Sequence, residues 1–71
     1  MTPQQTIRLH NLTRAMRKVA APVGPMHGWW DVIFDVEAFL QGKPVILEKT
    51  TEEWIKFCDD ILKEYEHRKA T

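Results

Sequence analysis

The sequence predicts an all-α domain: three helices, a short extended segment between helices 2 and 3, and pairing with a second copy as a homodimer. Three observations lead there. Apolar residues recur at helical spacing in three separate stretches. Proline and glycine cluster between those stretches. The one extended apolar run, residues 44–47 (Pro-Val-Ile-Leu), is too short to make a sheet alone. With 71 residues the chain forms a single helical domain, 1–71.

Helix 1 is expected over residues 3–20. Thr2 caps it, Pro3 suits the first helical position, and Gln5 completes a capping box. Leu9, Leu12, Met16 and Val19 share its apolar face, and Pro22, Gly24 and Pro25 end it. Helix 2 is expected over residues 28–41, closed by Gly42 and Pro44. Helix 3 is expected over residues 51–68, opened by a second capping box, Thr50 with Glu53. Trp54, Phe57, Cys58, Ile61, Leu62 and Tyr65 form its apolar face. Acid-before-base pairs four apart, Glu52–Lys56, Asp59–Lys63 and Glu64–Arg68, support its outer side.

The stretch 27–41, HGWWDVIFDVEAFLQ, holds more apolar surface than one helix face can bury. At 100° per residue, Trp29, Val32, Ile33, Val36, Phe39 and Leu40 form one broad face. Helix 2 is therefore expected at the centre, with helices 1 and 3 packed across it. Trp30 and Phe34 lie outside that face, four residues apart. Aromatic side chains are frequent energetic anchors at interfaces, so this pair is the first candidate for binding another protein or a second copy.

A domain this short buries only about 60% of its unfolded surface and is marginal alone. Small proteins usually add disulfides, a metal or oligomerisation. Cys58 is the only cysteine, which excludes a disulfide within the chain. The three histidines are scattered, so no metal is expected and oligomerisation is left. The single thiol suits a reducing cytoplasm. No apolar run approaches the roughly 20 residues that span a bilayer. A cytoplasmic protein without a membrane partner is expected.

The net charge of zero hides a division. Residues 1–30 carry Arg8, Arg14, Arg17 and Lys18 and no acid, while residues 31–71 carry six bases against ten acids. His10, Arg14, Arg17 and Lys18 lie opposite the apolar stripe of helix 1 and are expected to face solvent and not the acidic helix 2. Arg14, Arg17 and Lys18 are candidates for steering an acidic partner. His27, Asp31 and Asp35 follow one another four apart along helix 2. Ligands in such a row are about 6 Å apart and do not converge on one ion. Asp31 and Asp35 are read instead as a solvated or partner-facing stripe.

No catalytic constellation stands out. Cys58 neighbours Asp59 and Asp60, which oppose a thiolate. No phosphate loop or metal-ligand spacing occurs, so no cofactor and no enzymatic activity are expected. The expected function is that of a small non-enzymatic regulator or inhibitor that binds a target protein and occludes it. One alternative is a DNA-associated transcriptional regulator using the basic face of helix 1. Against it, Asp31, Asp35 and Glu37 would repel phosphates if helix 2 were a recognition helix. Another alternative is a structural subunit of a larger assembly. In size and build the chain resembles the small helical accessory proteins of bacteria and their phages, without a motif of a named family.

Overall fold

The computed structural model describes residues 1–70, and Thr71 lies outside the described residues. Three α-helices, α1 (Pro3–Val23), α2 (Trp29–Leu40) and α3 (Thr51–Ala70), follow one another along the chain. Among the described residues there is no strand. Residues 43–50 connect α2 to α3 without regular structure, bending at Ile46 and Leu47.

Both capping boxes close reciprocally. The Gln5 amide donates to Thr2 Oγ1 at 3.2 Å and the Thr2 amide to Gln5 Oε1 at 2.9 Å. The Glu53 amide donates to Thr50 Oγ1 at 3.2 Å and the Thr50 amide to Glu53 Oε1 at 3.0 Å. These bonds satisfy backbone donors that a helix start leaves without partners.

α1 runs past its expected end at Ala20 and takes Pro22 into its last turn. A proline there removes one backbone bond, to the carbonyl four residues earlier. Pro22 and Lys18 are both exposed, so that carbonyl belongs to the wet side of the helix. Gly24 ends α1 instead: its amide donates to the Ala20 carbonyl at 3.1 Å, with φ at +117°. That backbone conformation belongs to glycine.

α2 ends as its sequence predicts. Gly42 takes a left-handed φ of +72°. Its amide donates to the Phe39 carbonyl at 3.1 Å, and the Lys43 amide donates to the Ala38 carbonyl at 2.9 Å. These are the two bonds of a Schellman motif. At its other end Gly28 offers no side chain, and His27 substitutes: its Nδ1 accepts the Trp29 amide at 3.1 Å.

The core comprises Leu9, Leu12, Met16 and Ala20 of α1, Ile33 and Val36 of α2, and Trp54 and Cys58 of α3. α1, not α2, is the central helix. Its backbone packs closely on both α2 and α3, whereas α2 and α3 stand farther apart. Large rings bridge that wider gap at both ends: Trp29 meets Tyr65 edge-on at 5.4 Å, and Phe39 meets Trp54 at 6.3 Å. Much of the apolar excess of α2 therefore fills space beside α3. Lys49 stands 4.9 Å from the Phe57 ring centroid and 5.8 Å from that of Trp54, a cation over two aromatic faces.

On α3, Lys63 pairs with Asp59 at 2.9 Å and Arg68 with Glu64 at 2.7 Å, as their spacing predicts. Lys56 instead pairs forward with Asp60 at 3.1 Å. Glu52 remains in the first turn, where the positive helix end favours an acid.

Candidate functional site

The candidate site lies along the seam between α1 and α2. Two contacts between the helices define its course. Arg17 of α1 forms an ion pair with Glu37 of α2. Nearer the corner, Trp30 Nε1 donates to the Gly24 carbonyl at 2.9 Å. Moving back along α1 thus moves forward along α2, so the two helices run antiparallel.

Trp30 and Phe34 stack with ring centroids 5.6 Å apart and planes 29° apart. The two rings have different surroundings. Trp30 is half-buried, packs against the core and fastens the 24–28 corner through its indole N–H. Phe34 is 57% exposed and leans on Trp30 from the solvent side. Phe34 lies three residues from Glu37, so the two share a stretch of helix surface. The exposed ring therefore stands beside the Arg17–Glu37 pair.

Farther along the seam the helices enclose an open groove of about 570 Å³. His10, Arg14 and Arg17 line its α1 side, and Glu37, Leu40 and Gln41 its α2 side. Thr13 also borders it, but its hydroxyl is turned inward to the Leu9 and His10 carbonyls. Arg14 and Lys18 are exposed, and among the described residues neither enters an ion pair.

Arg17 was expected to point to solvent and not onto α2, and the structure places it otherwise. Arg17 reaches Glu37, and Arg8 reaches Asp59 of α3 at 3.4 Å. They stand nine residues apart, half a revolution at 100° per residue, and so flank α1 on opposite sides. Each meets an acid of the neighbouring helix. The division of charge along the chain is partly cancelled inside the fold.

Asp31 is exposed in the first turn of α2. Asp35 departs from the solvated stripe expected of it. It is buried, and its two carboxylate oxygens accept the amides of Ile46 at 3.1 Å and Leu47 at 3.2 Å. A buried carboxylate needs such donors. These bonds fix the bend between α2 and α3. The side chains on that bend point outward, with Ile46 88% exposed. Asp35 thus acts within the fold and away from the seam that holds Trp30, Phe34, Arg14 and Arg17.

Cys58 is buried, and desolvation pushes its thiol up to about 11. That suppresses the nucleophilic thiolate at neutral pH. Among the described residues no group of three or more His, Cys, Asp or Glu is placed to hold a metal ion, and no helix is long and apolar enough to cross a membrane. A second, smaller groove of about 400 Å³ lies between His27 and Trp29 on one side and Ile61, Glu64 and Tyr65 on the other. It carries the α2–α3 ring contact already described.

No family model, curated protein or solved structure matches the chain. The functional reading therefore rests on the seam itself.

Proposed function

We propose that this protein is a small non-enzymatic regulator that docks the α1–α2 seam onto another protein and occludes part of its surface. The observation that carries this reading is the position of Phe34. It is a large ring stacked on a tryptophan, 57% exposed, three residues from the Glu37 that lines the groove with Arg14. A fixed aromatic side chain loses little entropy on binding and excludes much water, which suits it to anchor an interface. Arg14 and Lys18 add long-range attraction for an acidic surface and chiefly speed association. A nucleic-acid partner is less well supported, because Glu37 lines the same groove and the whole chain is neutral.

The test compares wild type, Phe34→Ala and Lys69→Ala as immobilised baits, with helicity checked by circular dichroism. A protein retained by wild type and Lys69→Ala but lost with Phe34→Ala supports the reading. Identical retention by all three baits counts against it.

A second copy of the chain is the other reading of this face, and charge favours it. Asp31 is exposed on α2, and Arg14 and Lys18 are exposed on α1 without an ion-pair partner among the described residues. A two-fold partner would bring each acid toward the opposite bases. A homodimer that disappears in Phe34→Ala would establish that arrangement.

A further inference from the structure

The groove beside Phe34 has a chemistry of its own. Arg17 is held from one side by Glu37, so its guanidinium is already positioned. A guanidinium has five N–H donors, and a single carboxylate engages at most a planar pair of them. Arg14 lies three residues away on the same side of α1 and presents a second guanidinium to the groove. Gln41 brings a side-chain amide from α2, and Leu40 provides apolar lining. Even with Glu37 counted, the groove keeps one cation in excess. Its volume of about 570 Å³ lies within the usual range for ligand sites.

We infer that this groove seats the side-chain carboxylate of an acidic peptide segment, an inference that rests on the protein-binding reading above. Arg14 takes the carboxylate, the free edge of the Arg17 fork supports it, and Leu40 covers the methylenes of a glutamate. A neighbouring apolar residue of the same segment then meets Phe34. A phosphate backbone fits less well, because its repeating charges would extend past Glu37.

The probe is a capped hexaglutamate peptide, titrated into the intact isotope-labelled protein at low salt and followed by NMR. Saturable shifts are expected at the Arg14 and Arg17 Nε–H signals and the Gln41 side-chain amide. Arg14→Gln should weaken the apparent affinity about tenfold, the effect of losing one charge-assisted hydrogen bond. Lys69→Gln should leave it unchanged. Shifts spread evenly over Lys56, Lys63 and Lys69 would overturn the inference, as would no saturable shift at the groove. Tighter binding of a twelve-base-pair DNA duplex at the same residues would overturn it in favour of phosphate recognition. If Phe34-dependent capture of a protein persists while the peptide does not bind, the groove inference alone fails. If the peptide binds but capture ignores Phe34, the anion site stands and the protein-docking reading fails.

Discussion

Trp30 and Phe34 sit one turn apart on α2, and their substitution should have different consequences. Trp30→Ala removes a half-buried ring packed on the core and the indole bond to Gly24. Urea unfolding should show a loss of about 2–4 kcal/mol. Phe34→Ala removes an exposed ring and should cost less than about 1 kcal/mol. If Phe34→Ala destabilises as much as Trp30→Ala, Phe34 is a structural residue and its docking role loses its basis. Asp35→Ala should cost about 2–3 kcal/mol, because two loop amides lose a charged acceptor. Unchanged unfolding in that variant would show that the bend does not depend on the carboxylate. The aromatic pair was legible in the sequence because helical spacing alone places it off the main apolar face. The burial of Asp35 was not, since its partners lie 11 and 12 residues away in a connection without regular pattern.

At the scale of the elements, the helix ends were the most legible features, because their bonds close within a few residues. Thr2 with Gln5, Thr50 with Glu53, and Gly42 all occupy the positions their types favour. The second capping box also titrates. The backbone N–H of Thr50, and then its side chain, hold the Glu53 carboxyl below the ordinary carboxylate range. A depressed folded-state pKa stabilises above the unfolded value and ceases to do so as pH falls through the folded one. The thermal midpoint should therefore fall below about pH 4.3, the ordinary glutamate value. Glu53→Gln keeps an acceptor without a titrating proton and should reduce that fall. An identical pH profile in Glu53→Gln would show that the cap does not contribute. The packing order of the helices was less legible. The apolar excess of α2 suggested a central helix, but excess alone does not distinguish close backbone packing from rings that span a wide gap. α1 runs for 21 residues and serves both neighbours from opposite sides.

For the whole molecule, the charge division along the chain becomes a relation between helices. Arg17–Glu37 and Arg8–Asp59 link the basic N-terminal part to the acidic remainder. Such long-range pairs depend on the tertiary arrangement, so the sequence alone assigned Arg17 to solvent. Phe34, Arg14 and the groove between α1 and α2 remain uncommitted along one seam. The proposal requires that seam to be open in the free protein and available to a different protein. Light scattering on the wild-type chain and on Phe34→Ala, across a dilution series, tests this most directly. The same mass for both at every dilution is the predicted result, because any pairing of copies then leaves Phe34 uncovered. A wild-type dimer that becomes a monomer in Phe34→Ala would contradict it, because a second copy would then already cover the face.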